Sequence, residues 1–108
     1  MHVIAKRALR DFWHRYPQAE TPLREWWRSV ASARWVGPAD AVSAMPGVSV
    51  ISGTTLVFKR LGGNKFRIVA NVEWRSGTVF IKFVGTHAEY DNIDVLAVAR
   101  AEYPSGGR

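Results

Sequence analysis

Residues 65–86 constrain the fold more than any other stretch of the chain. Side chains alternate with a period of two on either side of Ser76-Gly77, the pattern of two β-strands, 65–75 and 78–86, joined by a two-residue turn. That loop pairs Arg75 with Thr78, Glu73 with Phe80, Asn71 with Lys82, Val69 with Val84 and Arg67 with Thr86. Paired residues share a face. One face is then Phe66, Ile68, Ala70, Val72 and Trp74 with Val79, Ile81, Phe83 and Gly85, wholly apolar. Such a face must be covered by a second layer. The opposite face holds Arg67, Val69, Asn71 and Glu73 with Phe80, Lys82, Val84 and Thr86. It is mixed and cationic, as expected of a solvated outer face.

The covering layer is legible upstream. Leu9, Phe12, Trp13 and Tyr16 recur at helical spacing, and Pro17 stops that run. Thr21-Pro22 reads as an N-cap followed by proline at the first helical position; Leu23, Trp26, Trp27 and Val30 continue a second apolar stripe to about Arg34. Gly37-Pro38 breaks it, and residues 39–45 suit a short third helix. From Gly47 the pattern turns to strands. Residues 2–5, 48–51 and 55–60 are further candidates, with turns at Ser52-Gly53-Thr54 and Leu61-Gly62-Gly63-Asn64. Thr86-His87-Ala88-Glu89 matches a capping box and opens a last helix. The expectation is one α+β domain over residues 1–103, with N-terminal helices on a mainly antiparallel twisted sheet and a short C-terminal helix. Residues 104–108 read as a flexible tail.

Composition narrows the function. Fifteen Lys and Arg against nine Asp and Glu give +6, and the excess lies in residues 1–75. A basic body suggests a polyanionic partner, nucleic acid first, and composition alone weighs this evenly against a basic protein with no such partner. The absence of cysteine excludes disulfides and thiolate zinc sites, and fits a reducing cytoplasm. No apolar run approaches the roughly 18 residues of a membrane span, and the charged opening predicts no signal peptide.

The candidate chemistry gathers at one end of the hairpin. Arg67, Asn71 and Lys82 are expected to converge on the outer face, outside the core. Asn64 and Lys65 stand at its end, and the capping-box helix brings His87 and Tyr90 to the same place. Cations beside an imidazole and a phenol suit a phosphodiester. Each has a plainer role. Arg67 or Lys82 could pair with Glu73, Asn64 could serve a left-handed turn, Lys65 could be a solvated turn residue, His87 could sit idle beside a cap, and Tyr90 could anchor the helix. Asp91, at i+4, is placed to orient His87. No third ligand is spaced to join them in a metal site, so none is expected.

The stretches Gly62-Gly-Asn-Lys-Phe-Arg-Ile-Val-Ala-Asn-Val72 and Phe80-Ile-Lys-Phe-Val-Gly-Thr-His-Ala-Glu-Tyr-Asp-Asn-Ile-Asp94 resemble the HigB family of toxins. These belong to the RelE-like superfamily of toxin–antitoxin systems. The opening Met1-His-Val-Ile-Ala-Lys-Arg-Ala-Leu-Arg-Asp11 and Tyr16-Pro17 are similar too, so the resemblance spans residue 1 to about 94. It implies a RelE-like fold and a cytoplasmic endoribonuclease that cuts messenger RNA on the ribosome. Cleavage would proceed without metal or other cofactor, by attack of a ribose 2′-hydroxyl on the adjacent phosphate. Arg67, Lys82, His87 and Tyr90 are then the catalytic candidates, and Asn64, Lys65 and Asn71 the RNA-binding ones. The implied partner is a helix-turn-helix, HigA-like antitoxin, in a hetero-oligomer that binds its own operator. A gyrase-poisoning ParE-like toxin and a non-catalytic RNA-binding module are the alternative functions.

Overall fold

The computed structural model describes residues 1–101, and the expected tail lies outside the described residues. Strand β1 (His2–Ile4) leads into α1 (Lys6–Arg15); a 3₁₀ turn (Pro17–Ala19) runs into α2 (Glu20–Ser32), and α3 (Pro38–Ala44) follows. Strands β2 (Val48–Val50), β3 (Thr55–Leu61), β4 (Phe66–Glu73) and β5 (Thr78–Thr86) come next, then α4 (His87–Asp91) and α5 (Val95–Arg100). The sheet order is β1-β5-β4-β3-β2, antiparallel except where β1 lies parallel to β5. No described helix is long and apolar enough to cross a membrane.

The helices cover the predicted apolar face. Leu9, Phe12 and Trp13 of α1, Leu23, Trp26 and Val30 of α2, and Ala41 of α3 form one buried cluster with Leu56, Phe58, Ile68, Ala70, Val72, Val79 and Ile81. Helix α2 starts before the expected Thr21 cap, because Pro17 opens a 3₁₀ turn that feeds straight into Glu20. Ala19 then occupies the cap position with no side-chain bond, and Pro22 lies in the first turn, where its missing N–H is not needed.

The hairpin register differs from the expected one in two ways. First, the loop is Trp74–Gly77, and Glu73 pairs with Thr78. Trp74 leaves the ladder and donates its indole N–H to the Gly53 carbonyl (2.7 Å), while the Glu73 carboxylate folds back onto the Arg75 N–H (2.8 Å). Second, a bulge opposite Val69 and Ala70 leaves Lys82 as the extra residue of β5. Past it, Phe83 and Gly85 face outward opposite Val69 and Arg67, while Val84 and Thr86 face the helices opposite Ile68 and Phe66. The bulge reverses the assignment that strict alternation gives to residues 83–86.

The outer face is not open. Helix α5 packs across β4 and β5, and its own Ala99 is buried there, as are Val57 and Val69 of the sheet. Asp94 caps α5 by accepting the Ala97 N–H (3.1 Å).

Phe58 sits between Trp26 (ring centroids 5.2 Å, edge-on) and Trp35 (6.4 Å, stacked) and is almost wholly buried. Phe58→Ala should destabilise the domain by about 3–5 kcal/mol, read as a lower urea midpoint. A midpoint within error of the parent would contradict this packing.

Candidate functional site

Three backbone devices build one end of the sheet. Gly62, Gly63 and Asn64 all have left-handed φ (61°, 66° and 79°), so the β3–β4 turn folds tightly on three residues able to adopt that region. A side chain at Gly62 would also strike the Phe66 ring, 2.9 Å from an added Cβ. Next to the turn, Phe58 pairs with Ile68 and Leu61 with Phe66, so Lys59 and Arg60 together oppose Arg67 across a bulge. Finally, the capping box holds α4: Thr86 Oγ1 accepts the Glu89 N–H (3.1 Å) and Glu89 Oε1 accepts the Thr86 N–H (2.8 Å). The His87 N–H donates to the Lys65 carbonyl (2.8 Å), which docks α4 on the turn.

Asn64, Lys65 and His87 thereby line one cleft of about 500 Å³, with Tyr16, Gln18, Phe66, Thr86 and Ala88. His87 Nδ1 lies 3.3 Å from Asp91 Oδ2, both half-exposed. Tyr90 is on the same face of α4 one turn on, against Phe83 (centroids 6.5 Å). Its ring is 5.8 Å from the Arg67 guanidinium carbon. Gly85 makes room for Phe83, whose ring would be 2.4 Å from an added Cβ.

Arg67 corrects the expectation of an open outer-face cation. It is 4% exposed. Its Nη1 donates to the carbonyls of Lys59 (2.8 Å), Asn64 (3.0 Å) and Phe66 (3.2 Å), so it ties the bulge to the turn. Its Nε is buried without a partner, and no carboxylate pairs with it among the described residues. Glu73 is not its neighbour, being six residues along the strand.

Asn71 and Lys82 do not join this site, which corrects the expected convergence. Asn71 Oδ1 accepts the Thr55 hydroxyl (2.8 Å) and its amide donates to the Ala99 carbonyl (2.6 Å), fastening α5 to the sheet. Lys82 Nζ donates to the Ala101 carbonyl (2.9 Å) and borders a separate cleft between α1 and α5, with Asp11, Phe12 and Arg15. Neither cleft residue set at the turn includes Lys82. The described residues contain no group of three or more potential His, Asp or Glu metal ligands.

Lys59 and Arg60 escaped the sequence reading. They line a second cleft of about 520 Å³ with Gly47, Gly63, Asn64 and Arg67. The signal was present: two consecutive polar residues interrupt the apolar run between Phe58 and Leu61, a spacing that fits a bulge.

A family described as HigB toxin, the RelE-like toxic component of a toxin–antitoxin system, matches residues 19–93. A protein named mRNA interferase toxin HigB from Escherichia coli (strain K12) is 33% identical over 93 residues, covering 84% of this chain and 88% of that protein. The mRNA interferase HigB of Shigella flexneri has the same identity and coverage. Another mRNA interferase HigB, from Escherichia coli O6:H1, is 24% identical over 94 residues, covering 86% of this chain and 91% of the relative.

Arg67→Ala should leave three carbonyls without their donor and cost about 1–3 kcal/mol of stability, with Arg67→Lys recovering only part because an ammonium is more strongly hydrated and so costlier to bury than a guanidinium. Urea unfolding checks this. Equal midpoints for all three proteins would mean that Arg67 does not hold the bulge and turn together.

Proposed function

Because the chain belongs to the HigB family of RelE-like toxins, the toxic components of toxin–antitoxin systems, we propose that it is an mRNA interferase, an endoribonuclease acting on messenger RNA at the translating ribosome in the cytoplasm. The observation that carries this reading is the meeting of His87, Lys65 and Asn64 on one cleft, joined through the Asn64 carbonyl to Arg67 and its neighbour Tyr90. The partner is a helix-turn-helix, HigA-like antitoxin that neutralises the toxin and carries the hetero-oligomer to its own operator.

The reaction needs no group beyond those of the chain and the RNA. The 2′-oxygen bonds to phosphorus as the bond to the 5′-oxygen breaks, giving a 2′,3′-cyclic phosphate and a 5′-hydroxyl. One proton leaves the attacking hydroxyl and one reaches the departing oxygen. His87 moves a proton, and Asp91, whose Oδ2 lies 3.3 Å from His87 Nδ1, holds the ring in place. Lys65 and the buried Arg67 charge oppose the negative charge that builds on the phosphorane. Tyr90 either supplies the second proton or stacks on a base, as its place one turn from His87 allows. Lys82 and Asn71 have structural work instead.

Induction of the protein should arrest growth with cleaved messengers bearing 5′-hydroxyl ends, and co-expression of the antitoxin should restore growth. His87→Ala should slow single-turnover cleavage by about 10²–10⁴ and alter the pH–rate profile. Tyr90→Phe keeps the ring, so full activity there with loss in Tyr90→Ala assigns stacking, and loss in both assigns the proton. Growth arrest with intact messengers would reject nuclease action in favour of a gyrase-poisoning toxin. An unchanged rate and pH profile in His87→Ala would remove the imidazole from the reaction.

A further inference from the structure

We propose that Lys59 and Arg60 form a second phosphate-binding subsite, which holds a flanking phosphate of the RNA beside the cleft of His87; this inference depends on the RNA-cleaving function above. The β3 bulge is the first observation. In a regular strand consecutive side chains point to opposite faces, yet Lys59 and Arg60 line one cleft, because both oppose the single residue Arg67. The same bulge returns Leu61 to the helix-covered side, so the core gains its leucine and the cleft gains a pair of cations.

The electrostatics of the cleft select an anion. Lys59, Arg60 and Arg67 line it and no carboxylate does. None of the three forms an ion pair among the described residues. Arg67 is buried in the wall with its Nη1 engaged by carbonyls and its Nε unpartnered, so its charge faces the cleft without a counter-ion. Gly47 holds the floor: the Arg60 stem lies so close over it that an added Cβ would be 2.4 Å from Arg60 Cγ. The Lys59 N–H donates to the Gly47 carbonyl (3.1 Å), which fixes the bulge to the start of β2.

Continuity selects a polyanion over a single small ion. Asn64 lines both this cleft and the cleft of His87, so one extended strand can pass over the turn with one phosphate at His87 and another between Lys59 and Arg60. A second grip of this kind fixes the strand's register over the reacting groups, which is how remote contacts serve the chemical step.

The test uses the full-length protein and a short RNA with 2′-deoxyribose at the cut position, which binds without being cut. Its affinity is measured over a range of salt concentrations. Lys59→Gln with Arg60→Gln keeps the side-chain stems, and its fold is checked by urea unfolding. The pair should weaken binding, flatten the slope of log affinity against log salt by about 0.7, the value for one single-strand phosphate contact, and raise KM for cleavage more than it lowers kcat. The swap Lys59→Arg with Arg60→Lys should restore the slope. Arg75→Gln, which removes one charge at the far end of the hairpin, should leave it unchanged. An unaltered slope and KM in the folded double variant, with wild-type protein cutting messenger normally, overturns the subsite and leaves the nuclease reading intact. A double variant that binds RNA normally but loses its antitoxin overturns it too, and assigns the cleft to the protein partner. Wild-type protein that binds the RNA but cuts no messenger counts against the nuclease reading instead.

Discussion

Arg67 extends along the outer face of β4 and places one guanidinium nitrogen within hydrogen-bonding distance of three main-chain carbonyls, those of Lys59, Asn64 and Phe66. A buried charge without a carboxylate costs free energy unless its donors are satisfied, and here backbone oxygens engage Nη1 while Nε stays unpartnered. The same three bonds fix where the β3 bulge and the left-handed turn stand relative to each other. Those two segments carry Lys59, Arg60, Asn64 and Lys65, and the turn also receives α4 through the bond from His87 to the Lys65 carbonyl. This end of the sheet is therefore organised around a cation whose first task is structural.

Two bulges decide which side chains that end presents. On β3, the doubled Lys59 and Arg60 keep Phe58 and Leu61 on the helix-covered side although three positions separate them. On β5, the extra residue Lys82 brings Phe83 and Gly85 outward, where Phe83 backs Tyr90. Without that change of phase, Phe83 would compete for space under the helices, and Tyr90 would lose the ring it packs on. Both bulges lie next to the clefts, consistent with their general use in re-aiming side chains at sites.

Covering both sides of the sheet serves the site as well. Helices α1 to α3 bury one face, and the small α5, fastened through Asn71 and Lys82, buries the centre of the other. The outer side stays open at both ends, at the hairpin loop, where Glu73 and Phe80 are exposed, and beyond α5, where the β3–β4 turn, the bulge and α4 meet. Preorganised positive charge in a confined place is what phosphoryl chemistry needs from a protein.

Much of this was legible in the sequence. Period-two alternation marked β4 and β5, the helical stripe of Leu9, Phe12 and Trp13 marked their cover, and Thr86 with Glu89 marked the cap that positions His87. These are local signals: hydrogen-bonding and burial patterns that a few neighbouring residues specify by themselves. The left-handed turn at Asn64 and the placing of His87 and Tyr90 beside it follow from such signals. The burial of Arg67, the departure of Asn71 and Lys82 from the site, and the arrival of Lys59 and Arg60 do not. They depend on register and on a second layer: Trp74 leaves the hairpin to bond Gly53, a bulge changes the phase of β5, and α5 covers a face whose own residues read as solvated. A polar side chain on a strand reads the same whether it meets water or a carbonyl of a distant helix, and only the tertiary structure brings the Ala99 carbonyl to Asn71 and the Ala101 carbonyl to Lys82.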